Sequence, residues 1–143
     1  MLREIPASDT LLRTALLAEK LPTDDLGRRN QRFFAWEDDD GRVVAHGGLE
    51  GRGADRLLRS LVVSPGERGK GLAVRLVAAL EHVARSGGAE RLWLLTETAG
   101  PVFDRLGWRR AERDTAPDEI AGSAQFAALC PASAVCMVRD LTS

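Results

Sequence analysis

The segment Arg68-Gly69-Lys70-Gly71 sets two cationic side chains beside two residues that have none, a composition suited to holding an anion. Backbone N–H groups can reach a phosphate where no Cβ stands in the way, and arginine and lysine add charged donors next to them. Alone, the tetrapeptide fits a solvated helix entry equally well. Its surroundings favour the anion: the apolar run Leu57 to Val63 reads as a strand, Ser64-Pro65-Gly66 as a turn, and Leu72, Leu76, Val77, Leu80, Val83 and Ala84 as one face of a helix that stops at Gly87-Gly88. A helix start aims unpartnered amides, and about half a positive charge, at whatever lies before it. Small Ala73 keeps the first turn open. Other phosphate patterns fit poorly, because a Walker loop requires Gly-x-x-x-x-Gly-Lys-Ser/Thr and the dinucleotide fingerprint requires glycine where Val74 stands.

Periodicity predicts the elements that must position this turn. Leu2 to Pro6 is extended, Asp9 suits a helix N-cap, and Leu12, Leu16 and Leu17 recur at helical spacing as far as Pro22. Asp24 to Gln31 is polar and reads as a loop or a short second helix. Phe33 to Trp36 and Arg42 to Leu49 form a hairpin around Asp38-Asp39-Asp40-Gly41, and Gly51-Arg52-Gly53 turns the chain into the strand that ends at Val63, so three consecutive antiparallel strands are expected. Leu92 to Leu95 is apolar throughout, as in a strand covered on both faces. Val102, Phe103 and Leu106 mark a short helix closed by Gly107; Trp108 to Arg113 and Ser133 to Leu141 supply two more strands, joined by a polar link through Asp118-Glu119-Ile120. The order β-α-(α)-β-β-β-α-β-α-β-β implies an α+β (mixed α/β) domain over residues 1–143, with one sheet and helices on both faces.

Composition narrows the function classes. The 143 residues are one domain's worth. With Lys+Arg at 20 and Asp+Glu at 21, there is no basic surplus of the kind nucleic-acid binders carry. No stretch approaches the roughly 18 apolar residues of a membrane span, and the start lacks the apolar core of a secretion signal, so a cytoplasmic protein without a membrane partner is expected. Two cysteines, Cys130 and Cys136, are too few for a disulfide framework and are expected as reduced thiols. His46 and His82 have no partner at ligand spacing, so no metal site is expected. Trp36, Trp93 and Trp108 are read as core.

Arg68 to Ala73 resembles the Arg/Gln-x-x-Gly-x-Gly/Ala motif of the GNAT superfamily of acyl-CoA N-acyltransferases. Phe103-Asp104-Arg105-Leu106-Gly107-Trp108 resembles its second signature, usually Phe-Tyr-x-x-Leu-Gly-Phe. The two stand in the family's order, and the element order fits over essentially the whole chain. The resemblance implies a GNAT-like single central, mostly antiparallel sheet and acetyl-CoA as co-substrate. The backbone of Leu61, Val62 and Val63 would pair with the pantetheine arm, and the amides of Arg68, Gly69, Lys70, Gly71, Leu72, Ala73 and Val74 would hold the pyrophosphate. It also implies acetyl transfer to the primary amine of a small molecule, and a homodimer in many members. Glu119-Ile120, Ser123, Gln125-Phe126, Leu129-Cys130-Pro131, Ser133-Ala134 and Met137 resemble the ending of a GNAT subgroup associated with arsenic-resistance operons. That likeness points to toxin detoxification and to an arsenical held by Cys130 and Cys136, against the simpler reading of core thiols.

Many GNAT enzymes carry, in the second signature, a tyrosine that protonates the departing thiolate; here Asp104 stands there, and the chain has no tyrosine. An ionised aspartate, with an ordinary pKa of about 3.9, serves as an acid only after a large upward shift. Asp104 is therefore a catalytic candidate with a plain alternative, a solvated helix residue, and a non-catalytic acyl-CoA-binding sensor is the rival function. Glu97, at the end of the Trp93 strand between Thr96 and Thr98, is the first candidate for base or substrate contact and Glu50 the second; either also suits a surface carboxylate. Arg28, Arg29 and Arg32 fall where the first helices of this fold roof the acceptor site, and would suit an anionic substrate group.

Overall fold

In the computed structural model, which describes residues 1–142, Leu2–Ile5 (β1) leads into Thr10–Ala18 (α1), whose N-cap Asp9 accepts from the Leu12 amide at 3.0 Å. Gln31–Glu37 (β2), Val43–Glu50 (β3) and Asp55–Val63 (β4) form the expected antiparallel meander. Leu72–Ser86 (α2), Arg91–Thr96 (β5), Gly100–Arg105 (α3), Arg109–Arg110 (β6), Asp118–Ala121 (α4) and Val135–Asp140 (β7) complete the chain. The strands make one sheet in the order β1-β2-β3-β4-β5-β7-β6. Among the described residues only β4 and β5 pair in parallel, so the sheet is mixed and mostly antiparallel.

Each face of the sheet is covered. The apolar stripe of α2 (Leu72, Leu76, Val77, Leu80, Ala84) packs with Phe103 of α3 and Trp108 against Ala45, Leu49, Leu58, Leu92, Leu94 and Met137. Gly47 on β3 lets α2 sit this close: a Cβ there would meet Leu80 Cδ1 at 2.6 Å. On the opposite face Leu12 and Leu16 of α1 pack on Ile5, Phe33, Ala35 and Val62, while Ile120 and Phe126 pack on Leu57, Trp93, Cys136 and Val138. Trp93 and Trp108 are core, as expected, and each indole N–H is satisfied, by Asp55 at 2.8 Å and by Glu81 at 3.2 Å.

One open alternative is decided in favour of the loop, and two local expectations are corrected. Asp24 to Gln31 forms no second helix; the Gln31 amide group ties it into a turn by accepting from the Gly27 and Arg28 amides and donating to the Asp25 carbonyl. The strand expected over Trp108 to Arg113 is only Arg109–Arg110, because the chain turns into a 3₁₀ turn at Arg113. The polar link contains α4, begun by Pro117 and the first-turn acids Asp118 and Glu119, and a π-turn over Gln125–Leu129.

Candidate active site

Two devices split the sheet open. β4 and β5 pair only where Asp55, Arg56 and Leu57 face Arg91, Leu92 and Trp93. That end is clipped by the Asp55 carboxylate, which accepts from Arg91 Nε at 2.7 Å, Arg91 Nη2 at 3.0 Å and Trp93 Nε1 at 2.8 Å. Farther along, β4 carries an extra residue against β3: Arg59 faces Gly48 and Val62 faces His46, a step of three residues opposite a step of two. The extra residue is accommodated at Ser60, in the left-handed region at φ 57°. β5 meanwhile stays in register with β7 through Thr96. The strands therefore diverge, and a cleft of about 610 Å³ opens between Leu58–Val63 on one wall and Leu94–Ala99 with Phe103 on the other.

A buried ion network holds the bulged wall. Arg59, inside an otherwise apolar strand, points to the α1 face, where its guanidinium meets both Asp25 oxygens at 2.5 and 2.7 Å and Glu50 at 2.6 Å, with Nε on Ser60 Oγ at 3.1 Å. The side chains of Arg59 and Asp25 are fully buried. Burying two charges is tolerable because every strong donor and acceptor is matched, and the Phe33 ring lies 5.5 Å from the guanidinium carbon. Glu50 is thereby committed to Arg59 and is not among the cleft-lining residues, which corrects its reading as a base.

At the mouth of the wall, Ser64 donates to the Val44 carbonyl at 2.9 Å, Pro65–Glu67 makes one 3₁₀ turn, and Gly69 and Gly71 take φ values of 81° and 75°. A side chain costs about 1–2 kcal/mol in that region. Gly71 is the N-cap of α2, no side chain caps the helix, and the space where Cβ atoms of Gly69 and Gly71 would stand is empty to 4 Å. The first amides of α2 are thus left for a ligand. Leu72 turns its side chain into the core, so only its backbone is available, whereas Gly69, Lys70, Gly71, Ala73 and Val74 are exposed. Leu61, Val62, Val63 and Arg68 line the cleft itself. Arg68 donates Nε to the Val63 carbonyl at 3.2 Å and pairs with Glu19 at the end of α1; Lys70 pairs with Glu67 at 3.3 Å.

The other wall carries Glu97, exposed, lining the cleft, and engaged in no ion pair among the described residues. Thr96 Oγ1 accepts the Ala99 amide at 3.0 Å and so shapes the turn that presents it. Asp104 lies outside the cleft lining: its carboxylate is bound by Arg110 at 2.9 and 3.3 Å, and those hydrogen bonds hold it below the usual carboxylate range. An acid held ionised donates no proton, so the geometry gives Asp104 no part in protonating a leaving group. Arg28 and Arg29 are exposed and Arg32 pairs with Glu4 at 2.8 Å; none lines the cleft, so the anionic-group role is not supported.

The rest of the cleft lining comes from segments the sequence reading did not rank: Lys20, Leu21 and Pro22 after α1, and Gln125, Leu129, Cys130, Pro131 and Ala134 before β7. Cys130 lines this cleft, and Cys136 lines a second cavity beside Arg110 and Arg113. Burial pushes both thiols up from their ordinary value. His82 is exposed; His46 is buried with Nε2 unpartnered, and burial pushes its pKa down. No group of three or more His, Cys, Asp or Glu side chains stands at ligand distance among the described residues. Nor, among them, is any helix long and apolar enough to cross a membrane.

A family model described as the acetyltransferase (GNAT) family matches residues 3–108. Among solved structures, a Mycobacterium tuberculosis protein in complex with CoA and NLQ aligns with a TM-score of 0.78 at 22% identity, covering 99% of each chain. N-acetylglutamate synthase from Neisseria gonorrhoeae, complexed with coenzyme A and N-acetyl-glutamate, aligns at 0.76 and 18% identity over 100% of this chain and 36% of that one. An aminoglycoside 6'-N-acetyltransferase complexed with coenzyme A aligns at 0.69 and 14% identity, covering 100% and 98%. At these identities the likeness is one of fold. No curated protein matches significantly.

Proposed function

The chain belongs to the acetyltransferase (GNAT) family, and from that premise we propose that it transfers an acetyl group from acetyl-CoA to the primary amine of a small molecule. The observation that carries the reading is the splayed pair β4 and β5 with an uncapped, glycine-led helix at its mouth. Beyond Leu57 the β5-facing edge of β4 has no strand partner, which leaves peptide groups to hydrogen-bond a pantetheine arm laid along Leu61 to Val63. The Arg68 to Val74 turn offers amides and two cations to the pyrophosphate. The coenzyme A named in the three aligned structures supports the same ligand for this fold.

Acyl transfer also needs a neutral amine at the thioester carbonyl. Deprotonating an α-amino group with a pKa near 8 costs about 1.4 kcal/mol at pH 7, and a lysine-type amine near 10.4 about 4.6 kcal/mol. An easy amine needs only a water relay; a harder one needs Glu97, the unpaired carboxylate of the cleft, to attract the ammonium and accept its proton. Polarisation of the carbonyl oxygen falls to a backbone N–H near Val62 or Val63.

The test is thiol release from acetyl-CoA across a panel of primary amines. Amino acids come first, and amino-acid-like arsenicals and related toxins belong in the panel because of the C-terminal resemblance to the arsenic-resistance subgroup. Release with one amine class and none without amine is expected. The engagement of Asp104 by Arg110 favours one rival, an acyl-CoA sensor that lacks an acid. Micromolar coenzyme A binding with no release from any amine would decide for the sensor.

A further inference from the structure

Arg113 stands at the start of the 3₁₀ turn after β6, outside the cleft and beyond residue 108, where the family match ends. Its guanidinium reaches carbonyls of the segment that lines the cleft before β7: Nη1 donates to Pro131 at 2.8 Å, and Nη2 to Phe126 at 2.8 Å and Cys130 at 3.1 Å, with Gln125 at a longer 3.5 Å. The guanidinium carbon also lies 5.7 Å from the centre of the Phe126 ring. Phe126 lies within the π-turn and Cys130 caps its end, while the Gln125 and Pro131 carbonyls also accept from the Cys130 and Ala134 amides. The other side of the same backbone carries Gln125, Leu129, Cys130 and Pro131 into the cleft. One side chain therefore fixes a wall from behind.

From this we propose that Arg113 is a positioning residue that sets the shape of the acceptor wall and with it the choice of amine; the second clause rests on the acetyltransferase reading above. The role needs a guanidinium. A planar fork can donate to Pro131 with one nitrogen and to Phe126 and Cys130 with the other while stacking on a ring, whereas an ammonium is a single point with three donors. The wall and the Arg68 to Val74 turn are separate segments of the chain, so on the acetyltransferase reading its loosening acts on the amine and not on coenzyme A.

Cys130 reports on the wall without any acceptor, since its thiol opens on the cleft and its own carbonyl is one of those Arg113 holds. Wild type, Arg113→Lys and Arg113→Ala are alkylated with iodoacetamide, labelling at Cys130 and at buried Cys136 is followed by peptide mass, coenzyme A affinity is measured by calorimetry, and acceptor KM and kcat are measured with the best amine of the panel. Expected are Cys130 labelling about tenfold faster in both variants with Cys136 unchanged, coenzyme A affinity within about twofold, and acceptor KM raised about tenfold at nearly constant kcat. Methylguanidinium added to Arg113→Ala should slow Cys130 labelling again. Unchanged Cys130 labelling in both variants overturns the proposal, as does parallel loss of coenzyme A affinity and faster labelling of Cys136, which marks general loosening. If Arg113→Ala does not fold, Arg113→Lys carries the comparison. If no amine is turned over, the acetyltransferase reading fails while the labelling and calorimetry still decide whether Arg113 holds the wall.

Discussion

Glutamate in place of Gly71 puts a carboxylate at the mouth of the cleft, and the structure separates its two effects. The first is conformational: at φ 75° a side chain costs about 1–2 kcal/mol, while the absence of any atom within 4 Å of the new Cβ means no clash is added. A domain with an ordinary stability of about 5–15 kcal/mol stays folded. The second effect is Coulombic. A carboxylate about 5 Å from a pyrophosphate of two negative charges is repelled by about 1.7 kcal/mol in bulk water and about 7 kcal/mol at an effective dielectric of 20, so affinity should fall at least fifteenfold. Gly71→Gln has the same shape and backbone cost without the charge. Calorimetric titration of coenzyme A into both variants, with thermal melts alongside, isolates the electrostatic part as the ratio of the two dissociation constants. That ratio should also shrink as salt is added. Two folded variants that bind coenzyme A equally, and as tightly as wild type, would refute the placement of the pyrophosphate at α2.

Asp25→Ala leaves the fully buried Arg59 with one fewer partner and should cost about 3–5 kcal/mol in denaturant unfolding, whereas Asp25→Leu combined with Arg59→Met should recover much of that loss. Neutral His46 is favoured by burial, so its folded pKa lies below the ordinary 6.5. The unfolded chain then binds the extra proton first, and the stability present above pH 6.5 is lost as pH falls through the folded value. Unfolding titrations of wild type and His46→Leu between pH 7.5 and 4.5 should show a shallower acid decline in the variant; identical slopes would mean that His46 is not the group responsible. Glu97→Gln should lower kcat/KM for the acceptor about tenfold or more with coenzyme A affinity unchanged, while Asp104→Asn should leave turnover within about twofold of wild type, both read in the thiol-release assay.

What the sequence made legible was the part built from local, repeating signals. The α2 stripe, the glycines and cations before it and the three-strand meander each rest on neighbours a few residues apart, and all stand where periodicity put them. The bulge did not announce itself, because Leu57 to Val63 is apolar apart from Arg59 and Ser60, and Ser60 is no glycine. One signal was present: an arginine inside that run requires a buried partner. The partner is Asp25, 34 residues away, and nothing in local pattern names it. Ion pairing between neighbouring elements, over nine and six residues, decided the carboxylates. Glu50 and Asp104 were taken by Arg59 and Arg110, and Glu97 was left free. The stretch before β7 was read as a polar link because its four-residue helix and five-residue π-turn are shorter than any window in which periodicity can be counted.

The Asp55 clip has a further consequence. Past it, β4 and β5 each keep one side of their backbone unpaired although both lie inside the sheet, so the molecule carries two strand edges in its interior as well as those at its rims. Unpaired edges ordinarily recruit other chains, and outer edges are protected by charge, brevity or proline. Here the two edges guard each other, converging on the clip so that the gap narrows to nothing at Asp55 and admits no strand from another molecule along its full length. The wedge shape thus does for these two inner edges what charge and brevity do for the outer ones, closing them to a full-length strand while leaving peptide groups exposed along the wider part of the gap.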